Sequence, residues 1–526
     1  MFMKNKLVQL CVALGLGMLI MALPRPEGTK FQIIGDPQRK LLDQVSADFA
    51  LDDNDGLKTK GYIIRARHPG EPGATAERLE REAASLGLTA TRMVFVDGLS
   101  PTAKRFLATL AFLLFLFIFE PIPLEITAVC IGVLLILTGV TDVKGAWAPF
   151  MHPVVVFIMC CLVYAIALEK VGLTERLGQA IARKAGDSVV RFTFLLAIGL
   201  GYASGIFHDA AAAAIGIATM LPLMRAAGIK PYTNTAKFMI LSVAFACSAG
   251  GMGTLVGGGR NMVSAAFLKE FTGIELTFFD WMMFALPAAV VTVPLAVTVL
   301  YFVYRPDRSF KLPIFDEKKG PWTLLEKKAA TILLFAFAMW LTKGIHGLDY
   351  SIPGILAIAA LVIAGVLEWD DIHKHLEWGT VIFIFGGGIS LGLGMDASGA
   401  ARFFANLFFP LFKGSGWLIM FIGVAVFGAI VTNAMANVAA AALILPIVIP
   451  LAQLEGVDPR VLALCLGMAT SFALLLVIGC PPNAIAYSYR QFKPSDLTKA
   501  GLVATPVLLS AMILVCAVWW KILGLV

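Results

Sequence analysis

The sequence predicts an all-α polytopic membrane protein made of two related halves, with a small α/β extramembrane insertion near its N-terminal end. Three observations predict it. Of 526 residues, 59% are hydrophobic and only 15% charged, against roughly a quarter charged in soluble domains. Apolar runs approaching the ~20 residues that cross a bilayer recur along nearly the whole length. Two sets of landmarks also repeat at almost one offset.

Residues 1–24 place Lys4 and Lys6 ahead of an apolar stretch, a pattern shared by a signal peptide and a retained first transmembrane helix. Residues 25–100 are the polar stretch of the chain. There Gly61-Tyr-Ile-Ile-Arg65, the Glu and Arg spacing of Thr75 to Leu86, and Met93-Val-Phe-Val96 predict strand, helix and strand. This insertion holds no catalytic constellation, and His68 reads as a surface residue.

Beyond it the chain is membrane. Residues 101–148 hold transmembrane helices 2 and 3, 149–305 the first repeat, 306–325 a basic loop, 326–375 helices 7 and 8, and 376–526 the second repeat. Clear spans run from Ala103 to Phe119, Trp281 to Tyr304, Ala329 to Leu341, Ile352 to Leu367 and Leu502 to Trp520. Uninterrupted helices are the default, because lipid satisfies no free backbone group, and about eleven crossings fit the length of each run.

Charge sets the orientation. A cytoplasmic N-terminus puts Arg176, Arg183, Lys184, Arg191, Arg225, Lys230, Lys237, the Arg305 to Lys328 loop, Arg490, Lys493 and Lys499 on the cytoplasmic side. The far side receives the scattered Lys144, Lys269, Lys343, Arg402 and Lys413, together with the insertion and the C-terminus. The net charge of +7 is thereby spent on topology, and no nucleic-acid partner is implied. The 8 cysteines have neither metal-ligand spacing nor a disulfide framework.

The repeat is the central signal. His208 to Pro222 reads HDAAAAAIGIATMLP and Thr432 to Pro446 reads TNAMANVAAAALILP, an offset of 224; GGMGTLVGGGRN ends at Asn261 and VIGCPPN at Asn483, an offset of 222. Runs of Ala and Gly let backbones approach closely. Breaks at Gly-rich or Pro-Pro stretches are tolerated at membrane depth only where they line a cavity. Paired, interrupted helices in two halves point to a transporter's midplane site, where helix ends offer N–H groups to an anion or carbonyls to a cation. Gly386-Gly387-Gly388 reads as tight packing, not a nucleotide loop.

On these residues the chain resembles the divalent anion/sodium symporter family, whose members carry dicarboxylates, citrate or sulfate. The likeness covers almost everything outside residues 29–97. Glu120-Pro-Ile-Pro-Leu-Glu-Ile-Thr127 is similar to an early family segment, and Gly250-Gly-Met-Gly-Thr-Leu-Val-Gly257 and Pro481-Pro-Asn-Ala-Ile-Ala486 to its two broken-helix loops. Pro24-Arg-Pro-Glu-Gly28 and Gly98-Leu-Ser-Pro101 look like one family segment split in two, which makes residues 7–23 a first helix. The resemblance implies a homodimer and an inverted repeat. It also implies two re-entrant hairpins, about 192–225 and 415–451, in a transport domain that moves as an elevator. It assigns substrate contacts to Ala436, Asn437 and Val438, to Gly258, Arg260 and Asn261, and to Cys480, Pro481 and Asn483. Ion contacts fall to Thr432, Asn437 and Gly479, the candidate sodium site, and to Gly257; His208 and Asp209, which depart from the family pattern, are ion candidates through their own chemistry.

The family signature is half kept. Each hairpin tip in the family carries Ser-Asn-Thr ten residues before the Leu-Pro proline. Here the count from Pro446 gives Ala436-Asn437-Val438, and from Pro222 it gives Ala212-Ala213-Ala214. The first loop, Gly-Thr-Pro-Pro-Asn in the family, reads Gly257-Gly258-Gly259-Arg260-Asn261, and Cys480 stands where the family has threonine. Intramembrane charges are functional by default. Arg260 is therefore expected to pair with Asp209 in place of a sodium ion, or else to grip the anion. His208 beside Asp209 alternatively makes a proton-coupled site; the plainer reading is that the two satisfy each other at the tip.

The expected function is secondary active transport of a sulfate-like oxyanion or a di- or tricarboxylate across the inner membrane, coupled to sodium. The alternative is a proton-coupled or sodium-independent anion exchanger of the same superfamily. With both tip threonines lost, a monocarboxylate also stays open. The implied partners are the anion, the bilayer and a second copy; beyond Na+ or H+ as coupling ion no cofactor is implied, and no enzyme. A membrane enzyme or electron carrier would need paired histidines, and His152 and His208 lie in different segments. A sensor would need the insertion for its signal, which its deletion tests.

Overall fold

The computed structural model describes residues 6–26, 28–34, 40–51, 62–68, 75–88, 92–119, 121–173, 176, 180, 183–312, 320–376, 378–401, 403–404, 407, 414–434 and 437–526. Among these, eight helices are long and apolar enough to cross a bilayer, accompanied by shorter apolar helices of 10–17 residues. The chain divides into two compact units.

One unit comprises residues 1–147, 390–414 and 450–456. Its helix α1 (Lys6–Ala22) packs along α4 (Pro101–Phe119), with Ala13, Phe115 and Leu116 in the seam. Between them lies the insertion: β1 (Lys30–Ile34), α2 (Lys40–Val45), β2 (Phe49–Leu51), β3 (Tyr62–Ala66), α3 (Ala76–Ser85) and β4 (Arg92–Phe95). The sheet is antiparallel in the order β2-β3-β1-β4, with Phe31 opposite both Ile64 and Phe95. Strand order and connectivity are those of a ferredoxin-like βαββαβ module. Alternation along β1 sends Phe31 and Ile33 into a core with Leu41, Val45, Phe49, Ile64 and Leu79. Thr75 caps α3 by accepting from Arg78 N–H.

The strands leading into and out of this module are joined at its base. Asp97 accepts from Thr29 N–H (2.7 Å), Lys30 N–H (2.6 Å) and the Thr29 hydroxyl (2.6 Å), and Leu99 N–H donates to Pro26 O at 2.9 Å. Helices α4 (Pro101–Phe119) and α5 (Leu124–Leu137) follow. Ser100 Oγ donates to Ser398 O at 2.8 Å and Ser390 Oγ to Ala146 O at 2.9 Å, tying the 390–414 segment to this unit.

The other unit comprises residues 148–389, 415–449 and 457–526. Its main helices are α6 (Pro153–Lys170), α7 (Val189–Phe207), α8 (Asp209–Ala226), α9 (Asn234–Gly250), α10 (Gly259–Thr272), α11 (Phe278–Tyr304), α12 (Leu324–Leu341), α13 (Ser351–Ile363), α14 (Gly416–Ala434), α15 (Asn437–Leu454, to residue 449), α16 (Pro459–Ala469), α17 (Pro481–Ser488) and α18 (Pro494–Ile522), with short helices at Lys343–His346 and Trp369–His375. Helix α9 forms its centre, buried without interruption from Met239 to Gly250.

Helix α11 shows how the sequence keeps a proline-interrupted span intact. Pro287 and Pro294 lie inside it, and each lacks the N–H that would bond the carbonyl four residues earlier. Trp519 Nε1 donates instead to Met283 O at 2.8 Å, and the Tyr202 hydroxyl to Val290 O at 3.0 Å. On the polar margin, Arg176 forms a two-pronged bond to Glu326 (3.0 and 2.8 Å), and Lys311 reaches Asp187 at 2.6 Å.

Candidate functional site

The two broken helices are built alike. In the first half α9 ends at Gly250, a tight turn covers Gly251–Gly253, and α10 starts at Gly259. In the second half α16 ends at Ala469, turns cover Thr470–Phe472 and Val477–Gly479, and α17 starts at Pro481. Asn261 Nδ2 donates to Gly251 O (2.8 Å) and Thr254 O (2.7 Å). Asn483 Nδ2 donates to Ala473 O (2.9 Å) and Leu476 O (3.2 Å), ten and seven residues upstream in both halves. Each asparagine thus folds its own break into the same loop, and each Oδ1 is buried with no partner among the described residues. Gly257 is required by close approach, since a Cβ there would lie 2.2 Å from Gly251 O.

Arg260, on the first turn of α10, joins these pieces. Its side chain is 1% exposed. Nη1 donates to Asp209 Oδ2 at 2.8 Å, Nη2 to Ser248 O at 3.2 Å and Nε to Ser471 Oγ at 2.8 Å. The expected Arg260–Asp209 pairing is therefore present, and all three guanidinium nitrogens bond to protein acceptors. Ser248 Oγ also donates to Cys480 Sγ at 3.3 Å, so the loops of the two halves meet around this arginine.

The first helix break is at His208, four residues before the Ala212-Ala213-Ala214 position marked by the count from Pro222. Alanine is the strongest helix former, so the run Ala210 to Ala214 continues the helix and the break moves to its polar neighbour. His208 has φ 72° and ψ 142°, a region costing a non-glycine residue about 1–3 kcal/mol. Asp209 opens α8, where its carboxylate faces the positive end of the helix dipole, and its N–H donates to Gly257 O at 3.0 Å.

In the second half Thr432 Oγ1 donates to Thr470 O at 3.4 Å. Asn437 opens α15 with its side chain buried and Nδ2 unpartnered among the described residues. Val438 is buried, Pro481 is the exposed first residue of α17, and Gly258 lies directly against the Arg260 guanidinium. Ala436 lies outside the described residues. Among the described residues no hydrogen bond joins Thr432, Asn437 and Gly479 to one another.

Ser248, Ser471 and Asn433 are structural members of the site that the motif comparison does not mark. Asn433 Nδ2 donates to Ala429 O (2.6 Å) and Phe472 O (3.3 Å), and its Oδ1 accepts from Leu475 N–H (2.8 Å). The signal for it was its place beside Thr432 in an otherwise apolar run. A separate cleft of about 160 Å³ reaches Leu255 and Met262 from the side of His152, Lys269, Lys343 and Tyr350. Lys343 there pairs with Glu275 and sits over the Tyr350 ring at 4.2 Å.

A family profile described as the sodium:sulfate symporter transmembrane region matches residues 88–526. An uncharacterized transporter of Haemophilus influenzae is 28% identical over 421 residues, covering 77% of this chain and 89% of its own. The sodium-dependent dicarboxylate transporter SdcS of Staphylococcus saprophyticus is 25% identical, covering 81% of this chain and 87% of its own. SdcS of Staphylococcus aureus is 26% identical, covering 76% and 82%. The crystal structure of the Alcanivorax borkumensis YdaH transporter aligns with 74% of this chain and 88% of its own at 13% identity and a TM-score of 0.45, below the level at which a common fold follows.

Proposed function

The chain belongs to the sodium:sulfate symporter transmembrane family, and from that membership we propose that it is a secondary active carrier of a small oxyanion or carboxylate. The observation that carries this reading is the convergence of three helix N-termini. Asp209 at the start of α8, Arg260 at the start of α10 and Cys480 just before α17 are linked through Arg260, Ser248 and Gly257. Helix N-termini present unbonded N–H groups and partial positive charge, the recognition chemistry of an anion. Half-helices aimed at a midplane substrate are the hallmark of such carriers.

Within this proposal Arg260 is the fixed counter-charge of Asp209 in the first half. Arg260 is 1% exposed and turns each of its three nitrogens to a protein acceptor, on Asp209, Ser248 and Ser471, which favours this role over gripping the anion. The second half supplies the coupling-ion site, with Thr432, Asn437 and Gly479 as sodium ligands. Relatives named as sodium-dependent dicarboxylate transporters support sodium and a carboxylate substrate. The unpartnered Oδ1 atoms of Asn261 and Asn483 support polar ligands beside both loops. The proposal extends to a homodimer in the inner membrane with a cytoplasmic N-terminus, and to re-entrant hairpins in a domain that moves as an elevator; loop charge and family resemblance support these.

The test is uptake of labelled sulfate, succinate and citrate into proteoliposomes, with sodium and proton gradients imposed separately. Accumulation of one of them above the protein-free control is expected. Accumulation of none under either gradient would contradict the carrier reading.

A further inference from the structure

The first hairpin tip holds two buried polar atoms that the site described above leaves idle. His208 Nε2 and Asp209 Oδ1 have no hydrogen-bond partner among the described residues, and the two residues are 5% and 0% exposed. Buried polar atoms are almost always paired, so two idle ones in adjacent residues call for a ligand. His208 Nδ1 lies 3.2 Å from Asp209 Oδ1, yet it accepts from Ala210 N–H at 3.3 Å. An Nδ1 that accepts this bond carries no proton; protonated, it would donate instead to the carboxylate oxygen beside it.

We infer that the first hairpin tip binds a proton as a coupling ion, held on His208 Nδ1 and shared with Asp209 Oδ1. This rests on the carrier reading above and names the coupling ion of its first half. Two arrangements are available to the same atoms. Without the proton, Nδ1 caps α8 through Ala210 N–H. With it, Nδ1–H donates to Asp209 Oδ1 and the cap is released. The bond formed is N–H, the proton comes from one aqueous phase, and it leaves to the other when the bond breaks.

Charge explains why a proton belongs here. Arg260 and Asp209 cancel each other across their 2.8 Å contact, and a proton on His208 adds one positive charge beside three helix N-termini. That is the charge a bound monovalent cation would bring, and it makes anion binding more favourable. By linkage the anion must then raise the tip's affinity for the proton to the same degree. Among the described residues, Asp209 of α8 and Arg260 of α10 act on His208 directly, and the Cys247 thiol of α9 and the Cys480 thiol ahead of α17 lie near Asp209. His208 also sits at the strained φ of 72° where the chain turns from α7 into α8. Loss of its cap therefore acts on the hinge of the hairpin itself.

The experiment uses proteoliposomes of the full chain with equal sodium on both sides and an inward proton gradient, supplied with whichever of sulfate, succinate or citrate the wild type carries. One coupled proton raises the accumulation ratio about tenfold per pH unit, and anion entry alkalinises the outside medium, read with a pH-sensitive dye. In His208→Gln and His208→Asn the ratio of uptake with and without the gradient is expected to fall to one. Wild-type uptake that ignores the gradient without alkalinising the medium would overturn the inference, as would a His208→Gln ratio equal to wild type. If the variants do not fold, wild-type alkalinisation decides alone. A wild type that carries no anion under any gradient fails the carrier reading first, and this inference with it.

Discussion

Arg260 concentrates the chemistry of the site in one side chain. A buried ion pair stripped of one partner leaves an uncompensated charge, at a cost of about 3–5 kcal/mol. Arg260→Gln and Asp209→Asn are therefore each expected to cut uptake by at least tenfold and to lower the melting temperature. The double variant, which leaves no lone charge, should melt higher than either single one; additive losses would mean that the two residues act separately. A second residue-scale expectation concerns Asn261 and Asn483. Each holds two loop carbonyls at matching upstream positions, so replacing either by alanine should destabilise the fold by about 1–3 kcal/mol. Comparable melting-temperature losses support equivalent roles, whereas a loss confined to one would show that the halves are pinned differently.

At the scale of elements, the polar ties at the helix ends set how the unit containing the site responds to pH. The hydrogen bond from Lys170, with that from Glu368 N–H, holds the Asp371 carboxyl below the usual carboxylate range. A group depressed in the folded state contributes stability above its unfolded value, about 3.9, and loses it as pH falls through the folded one. The melting-temperature gap between wild type and Asp371→Asn should be constant at neutral pH and start to narrow as the pH falls below about 4. A gap that does not narrow at all as the pH falls through the acid range would contradict this role for Asp371.

Long periodic segments were legible in the sequence. The predicted run from Trp281 to Tyr304 became α11, and that from Leu502 to Trp520 lies within α18, because twenty apolar residues leave the backbone no alternative in lipid. The insertion was read only as strand, helix and strand. Its β1, α2 and β2 are three to six residues long, too short for a period to declare itself. The repeat located both broken helices, but the hairpin break escaped the motif count, since His208 rather than the alanines ends α7. Ser471 was not legible at all. Its role depends on Arg260 reaching it from 211 residues away in sequence, a contact that no local pattern encodes.

At the scale of the molecule, the insertion and the carrier are separable by construction. Leu99 N–H bonds Pro26 O, so removal of residues 28–97 brings together ends that already lie within one hydrogen bond. The family profile begins at residue 88, almost wholly beyond that segment. A chain with a short glycine bridge in its place is expected to reach the membrane and transport at rates within a few-fold of wild type. Abolished uptake in a folded deletion variant would make the module part of the carrier cycle.

In the proposed mechanism an ion bound at the hairpin tips drives anion movement. Current recorded from proteoliposomes on a solid-supported membrane tests it most directly. Addition of the carried anion should evoke a transient current that requires sodium or a proton gradient and that disappears when Thr432 and Asn437 are replaced by alanine under sodium drive. Anion uptake that proceeds equally without either ion, with the double variant indistinguishable from wild type, would contradict it.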